Sequence, residues 1–561
     1  MSWNKTCDRS SWIENYSEVD NISFIKTVST ACKASGGRIC QILDEYIQNS
    51  EWLAVINYDF DYSSSDIEDL RYGRQIQALV NKQTWIDVGI DRLDVAIREF
   101  HRCEEKCRVS NDRILNGPRP QGAVASISFH AIRKIADILG PVPDLASLDF
   151  SYGPGATTSV KMREACPRGK LNSPLVCSNE LLPVVGEFLE EFPLLCEHHA
   201  ISSTEESYSV NVTTAPGKLT FVPKSSKTLR PIVVEPTLNG LGQKGIGKYI
   251  KSRLKMFGLD LSQQEKNQSM ALRGSIDDSL STIDLKSASD TICWAAVLDL
   301  LPLPWFEFLS NFRSGTIEYN GYEVELHKFS SMGNAFTFEL ESLIFFALAE
   351  ASTLYMSSYE AVSVFGDDII VAKNCAPCLI ETLEYYGFEV NKSKSYIEGP
   401  FRESCGADWF QGSDIRPFYL KDRISDRILY SMHNWMMRHC EFKIAALVLS
   451  CINKSEKLFG PDRLGDGHLL GEYCLTLNRS DRRSGYDGGY FWSYALVKKT
   501  LTKRFRSDWL LPSYSVYTRS GEENETDPNV VRGSSGCHRI KLYTFSRGIF
   551  LSSDLSETSL Q

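Results

Sequence analysis

The chain has 561 residues, 42% hydrophobic and 24% charged, with a net charge of −10. That length is too great for one compact core, so two to four subdomains are expected, and the composition excludes disorder as the default. The overall acidity weighs somewhat against a nucleic-acid binder.

The N-terminal MSWNKTCDRSSWIENY is polar and lacks the apolar core of a signal peptide. The most apolar run, Leu343 to Ala349, lies between Glu341 and Glu350 and falls far short of the ~20 residues needed to span a bilayer. A cytosolic protein is therefore expected, and its 16 scattered cysteines read as reduced thiols. Cys103 and Cys107, and Cys375 and Cys378, form close pairs without a second pair at zinc-site spacing.

In chain order, residues 85–107 carry a helical pattern, with polar breaks at 63–66 and 116–122. SYGPGATTSV (151–160) reads as a Gly-Pro-Gly turn, either structural or open to close approach by a ligand backbone. His198 and His199 have no acidic partner at a metal spacing. Between Lys218 and Lys255 stand nine basic residues against the single acid Glu235, a local charge of +8 inside an acidic chain. Such a strip concentrates affinity where a polyanion must pass. Within it, GQKGIGKY (242–249) approaches the phosphate-loop pattern, but Tyr249 stands where a Ser or Thr would hold magnesium.

STIDL (281–285) is a short strand candidate. TIEYNGYEVEL (316–326) is two β-rich arms around Asn-Gly, a hairpin signal. Residues 331–351 begin at a Gly turn and become a long apolar helix, in which Phe336, Phe338, Phe345 and Phe346 read as core. AVSVFGDDIIVAK (361–373) is two short strands around Gly366-Asp367-Asp368, and CLIETLEYYGF is a further helix. The tail after about residue 519 is rich in Ser, Gly and charge.

Two adjacent acids at the tip of an apolar hairpin repel, and a divalent cation resolves the repulsion. Asp284, at the end of a strand able to pair beside that hairpin, supplies a third carboxylate. Three such groups suit two metals about 4 Å apart, the arrangement of phosphodiester chemistry.

STIDLKSASD, SSMGNAFTFELESLIF and VFGDDII, in that order, resemble motifs A, B and C of viral RNA-dependent RNA polymerases. Together with KSSKTLRPIVVEP (224–236) and GPFRESCG (399–406), they resemble the replicase beta subunit of the small single-stranded RNA bacteriophages, the leviviruses. The likeness runs from about 219 to 425, with GPGATT the main match before it. It implies an α+β, right-handed polymerase whose palm is an antiparallel sheet with helices. Fingers and the N-terminal region would occupy 1–275, and the palm 276–425 with a fingers insertion near 300–330. The thumb would occupy 426–530, and a C-terminal tail, loose in part, 531–561.

The resemblance implies that Asp284, Asp367 and Asp368 bind two Mg²⁺ ions, and that Lys224, Lys227 and Arg230 grip the incoming triphosphate. Ser331, Gly333, Asn334 and Thr337 match the loop and helix start that read the template base pair and the ribose. Glu341 replaces the Asn of the general pattern, so ribose recognition must be arranged differently. Lys394, with Lys392 as rival, stands where a lysine protonates the pyrophosphate. Ser289 and Asp290 are small and polar where DNA-making relatives place a bulky aromatic, which favours ribonucleotides over a reverse-transcriptase reading. A non-enzymatic RNA-binding assembly protein would leave the joint order of acids and basic strip unexplained. The family further implies primer-independent RNA synthesis on a single-stranded RNA template from nucleoside triphosphates, in the cytoplasm of an infected bacterium. Its expected partners are the host elongation factors Tu and Ts and a small-subunit ribosomal protein.

Overall fold

Apolar residues at helical spacing build the chain's helices, which are joined by mostly short strands. The computed structural model describes residues 20–63, 65–203, 208–453, 457–477, 487–500 and 530–544. The polar N-terminus to residue 19, residues 501–529 of the expected thumb and residues 545–561 of the expected tail lie outside the described residues.

Helices Asn21–Lys33, Arg38–Gln48, Trp52–Asn57 and Ile67–Ala78 come first. Asp20 and Asp66 cap the first and last of them by accepting backbone N–H bonds. The helix expected over 85–107 instead spans Arg92–Asn116. Gly89, at φ +72°, turns the chain, and Asp91 then caps by accepting from the amides of Leu93 and Asp94. Capping chemistry, which periodicity does not report, sets this boundary.

Two cores result. The larger gathers helices Gly122–Leu139, Thr237–Met256, Thr337–Tyr355 and Ala376–Tyr385, with the buried faces of strands Leu280–Ile283 and Asp368–Ala372. Phe336, Phe345 and Phe346 are buried here, and Phe338 packs against it. The smaller core joins the N-terminal helices to residues 401–452, including helices Asp426–Arg438 and Phe442–Ser450. Residues 20–86 therefore share their interior with a segment more than three hundred positions later, an arrangement that chain order does not reveal. Arg74 anchors it through Asp408 at 2.5 Å, a pair buried on both sides.

The phosphate-loop lookalike lies inside the Thr237–Met256 helix, so it is no loop. Its glycines serve close packing: a Cβ on Gly242 would meet the Phe312 ring at 2.4 Å, and one on Gly247 the Ala335 carbonyl oxygen at 2.7 Å.

Three sheets frame the centre. Ser363–Phe365, Asp368–Ala372 and Leu280–Ile283 form an antiparallel sheet in that order. Gly217–Pro223 and Leu229–Val234 join Thr316–Tyr319 and Tyr322–Glu325 in a four-stranded sheet, which ties the basic strip to the expected insertion. The Asn320-Gly321 hairpin forms as expected, both residues at positive φ. Phe401–Ser404, Ala407–Phe410 and Ser413–Asp414 make the third. Further on, Asp487–Thr500 pairs with Val530–Thr544 as a long antiparallel ladder, reaching into the segment read as a tail. Among the described residues, no helix is long and apolar enough to cross a membrane.

Candidate active site

The central hairpin turns through Gly366 and Asp367, with Phe365 paired to Asp368. Gly366 takes φ +61° and Asp367 does not share the positive φ, the pattern of a II′ turn with Gly first. The turn is pressed onto the Thr337–Tyr355 helix: the Gly366 amide donates to Ser342 Oγ at 3.0 Å, and Phe338 meets Phe365 edge-on at 5.1 Å. Beneath the hairpin, Asn267 donates to the Asp368 carbonyl and to Ser404 Oγ, each at 3.3 Å, and accepts from Ser363 Oγ at 2.6 Å.

Ile369 pairs with Ile283, so one step further along the antiparallel register sets Asp368 opposite Asp284. Period-2 strand geometry thus brings acids 84 positions apart to one end of one sheet. Asp284 is held from the other side. Its amide donates to Ser395 Oγ at 3.0 Å, and its Oδ2 accepts from Asn391 Nδ2 at 2.7 Å. Asp368 Oδ2 accepts from the Cys405 amide at 3.0 Å.

The acids feel one another. Burial, then Asp367 and Asp284, push Asp368 up to about 7 against the Cys405 hydrogen bond. Burial chiefly, with Asp367, raises Asp284, while Lys394, Asn391 and Lys224 oppose the rise. Among the described residues, no three His, Cys, Asp or Glu side chains stand grouped so as to hold a metal ion as they are placed. Asn391 and the Cys405 amide each draw one acid toward themselves. The donors nonetheless suit a hard divalent cation: all are carboxylate oxygens, Asp284 and Asp368 half-buried and Asp367 exposed at the tip, and their like charges repel.

Basic groups stand around this charge. Burial alone would lower the Lys394 pKa, but Glu403, Asp284, Asp367 and Asp368 outweigh it and raise it. Lys392, exposed as Lys394 is, is not among the main charges acting on Asp284 or Asp368. Lys224 is lowered by desolvation and by Arg230 and Lys394, while Asp290 and Asp367 pull it the other way. Lys227 stands apart, its Nζ donating to Asn57 Oδ1 at 2.9 Å. Arg230 is exposed on Leu229–Val234, opposite Val222.

The 330–337 loop rests on that same strand. The Val233 amide donates to the Met332 carbonyl at 2.8 Å, and Gly333 adopts φ +113°. Thr337 Oγ1 ties the loop by donating to the Ser331 carbonyl at 3.0 Å. Ser330 Oγ, Ser331 Oγ, Asn334 Nδ2 and Glu341 Oε2 are all buried without a hydrogen-bond partner. Buried polar atoms are nearly always satisfied, so these four stand out in the loop and the helix that follows it. Ser289 and Asp290 are buried in the short turn Ala288–Asp290, and Asp290 Oδ1 accepts from Lys328 Nζ at 2.8 Å.

The profile of the family described as RNA replicase, beta-chain matches residues 55–441. The chain belongs to that family. It is 32% identical to the RNA-directed RNA polymerase subunit beta of Escherichia virus Qbeta, over 86% of this chain and 82% of that one. It is 35% identical to the subunit beta of Enterobacteria phage SP, over 74% of each. The RNA-directed RNA polymerase beta chain of Escherichia phage MS2 is 42% identical over a shorter stretch, 41% of this chain and 42% of that one. Among solved structures, the RNA-dependent RNA polymerase of BmCPV at its elongation state aligns with 60% of this chain and 33% of its own, at 14% identity and a TM-score of 0.37.

Glu341, singled out by the sequence as the departure from the general pattern, lies under the turn, its Oε1 3.1 Å from where a Cβ on Gly366 would sit. Burial, Asp367, Asp290 and Glu339 hold its carboxyl well above the usual range. Other residues at the site escaped sequence reasoning. Asn391 and Ser395, which clasp Asp284, follow a helix in a polar stretch that carries no signal of its own. Glu403 sits in GPFRESCG, yet nothing in that string tells that it acts on Lys394 and Asp284. The GPGATT loop rests on the end of the basic strip: the Thr158 amide donates to the Glu235 carbonyl at 3.1 Å, and the Thr157 and Thr237 hydroxyls are 2.8 Å apart.

Proposed function

We propose that this chain is the RNA-directed RNA polymerase of a single-stranded RNA phage. It joins ribonucleoside triphosphates on an RNA template, and it starts strands without a primer. The observation that carries the reading is the register setting Asp284 opposite Asp368, with Asp367 in the adjoining turn and Lys224 and Lys394 within range of their charge.

In this reading, Asp284, Asp367 and Asp368 would hold two Mg²⁺ ions. When bound, the ions supply activation of the attacking 3′-hydroxyl and stabilisation of the leaving pyrophosphate. The chain's own groups do the rest. Lys224 and Arg230 set fixed cations against the triphosphate, where pre-placed charge acts without reorganisation. Ser331, Asn334 and Glu341 offer polar atoms to the nucleotide paired with the template. Gly333 lets their loop lie close on the strand behind it. Asp290 accepts from the 2′-hydroxyl, and Ser289 leaves it room. Lys394 is the proton donor to pyrophosphate, favoured over Lys392 because only it lies among the acids.

The palm is assigned to 276–425 around the central hairpin, and the thumb to the segment from 426. The fingers take the earlier residues together with the 300–330 insertion, which the sheet shared by 217–234 and 316–325 supports. The relatives are named beta subunits, which supports work within an assembly. Elongation factors Tu and Ts and a small-subunit ribosomal protein are the partners proposed, in the cytoplasm of the infected host.

Asp367→Asn tests the core of the reading. Templated incorporation should vanish while the unfolding midpoint and RNA binding stay near wild type. Polymerisation by that variant at wild-type rate would falsify the assignment of the acids. Co-purification from the bacterial host tests the partners, and a lone chain with full activity would remove them.

A further inference from the structure

Lys328 is among the most deeply buried cations of the chain, its side chain 1% exposed. Its Nζ lies 2.8 Å from Asp290 Oδ1, 3.4 Å from Glu104 Oε1 and 4.5 Å from the centre of the Phe100 ring. Burial disfavours its charge, but Asp290 and Glu104 outweigh that and keep it protonated.

The backbone around Lys328 is fixed without its ammonium group. The His327 amide donates to Glu104 Oε2 at 2.8 Å, the His327 carbonyl accepts from Asn111 at 2.9 Å, and the Phe329 amide donates to the Ile292 carbonyl at 2.8 Å. An apolar side chain of similar length would fill the same space. Replacing a buried ion pair by apolar groups is often neutral or stabilising, so burial of this cation calls for a reason other than stability. The reason lies in which acid it binds. Asp290 lies beside the proposed nucleotide cleft: its turn, Ala288–Asp290, follows Asp284 closely and packs against the Thr337–Tyr355 helix that carries Glu341, and its charge acts on Lys224 and Glu341. A carboxylate with one oxygen fixed by a buried ammonium has its plane set, and its other oxygen remains free to accept.

We propose that Lys328 is a positioning residue for sugar selection. It locks Asp290 through Oδ1 so that Oδ2 accepts a hydrogen bond from the 2′-hydroxyl of the incoming nucleotide. The inference rests on the reading of Asp290 as the ribose contact. It also gives the insertion hairpin a task, because Lys328 follows strand Tyr322–Glu325 by three residues. A site built to bond a hydroxyl rejects an analogue lacking it because its own polar group is left unpaired.

The test compares templated incorporation of ribonucleoside and 2′-deoxyribonucleoside triphosphates by the full chain as purified from its bacterial host. It uses the wild type, Asp290→Asn, Lys328→Met and the double variant Lys328→Met/Glu104→Gln, which also removes the charge left behind. In folded Lys328→Met, ribose preference should fall by about tenfold or more, through a raised KM for ribonucleotides with kcat little changed. If Asp290→Asn loses ribose preference and folded Lys328 variants keep it, the positioning role is overturned and the reading of Asp290 stands. If Asp290→Asn keeps its preference, the reading of Asp290 itself fails, and this inference with it. If neither Lys328 variant yields a soluble chain, Lys328 is a folding residue and the proposal is overturned.

Discussion

Gly333→Ala is the sharpest test of how the 330–337 loop, proposed to meet the nucleotide, is held. A Cβ at this position would sit 2.1 Å from the Val233 carbonyl oxygen and 3.1 Å from its carbon, at φ +113°. Both contacts are backbone, so no side chain can swing aside to relieve them. Reaching an ordinary carbon–oxygen separation requires the loop to retreat by about 1 Å, and a misplacement of that size at a reacting centre costs ~10²-fold. Retreat also breaks the 2.8 Å bond from the Val233 amide to the Met332 carbonyl. That loss is worth about 1 kcal/mol, and the backbone strain adds about 1–3 kcal/mol. The expected outcome is a drop of roughly 10²-fold in kcat/KM for templated incorporation, with a lower unfolding midpoint. Gly321→Ala is the control. Gly321 also has positive φ, +81°, but nothing lies within 4 Å of its added Cβ. It should cost about 1 kcal/mol of stability and leave polymerisation intact. Wild-type activity and an unchanged midpoint in Gly333→Ala would refute the reasoning, because the loop would then not be pressed against the strand.

Three further outcomes are expected. Glu235 is pushed up to about 7 by burial, then by Glu180, against hydrogen bonds from Ser314 and Gln243 and the charge of Arg313. The folded chain therefore holds this proton more tightly than the unfolded chain. Its contribution, about 3 kcal/mol at most, is fully present below the unfolded value near 4.5 and is lost as pH rises through 7. Denaturant unfolding at pH 5 and pH 8 should show Glu235→Gln flattening that slope, and a slope unchanged in the variant would sink the assignment. Lys224→Ala should raise KM for nucleoside triphosphates, whereas Lys227→Ala, whose ammonium is bound to Asn57, should leave it near wild type; steady-state incorporation separates them, and equal effects would count against the cleft as drawn. Lys394→Leu should lower kcat strongly and Lys392→Leu hardly at all in single-turnover incorporation, and the reverse order would move the proton donor to Lys392.

Local signals carried much of the molecule. Asn320-Gly321 between β-rich arms was enough for a hairpin, because few dipeptides accept two positive φ values. VFGDDII was enough for a tight turn with acids at its tip, and the apolar run after Gly333 for a buried helix. The helix after Asp91 was misplaced at its start, since a cap depends on two amides that periodicity does not register. The glycines of 242–247 read as a failed phosphate loop. In the structure they are contact points, legible only once Phe312 and the Ala335 carbonyl are placed beside them.

What the sequence by itself determined was the chemistry at hand: three acids on short strands, a basic strip, and small polar groups after Asp284. Each depends only on residue type and on neighbours a few positions away. Which of these groups meet was decided by tertiary structure alone. The antiparallel register sets Asp284 opposite Asp368. Lys224 is brought within range of Asp367's charge, while Lys227 is drawn away to Asn57. Asn391 is carried to Asp284, and Lys328 is closed over Asp290. Such pairings join residues tens to hundreds of positions apart. No local propensity encodes them, because their energy appears only when the two cores have closed.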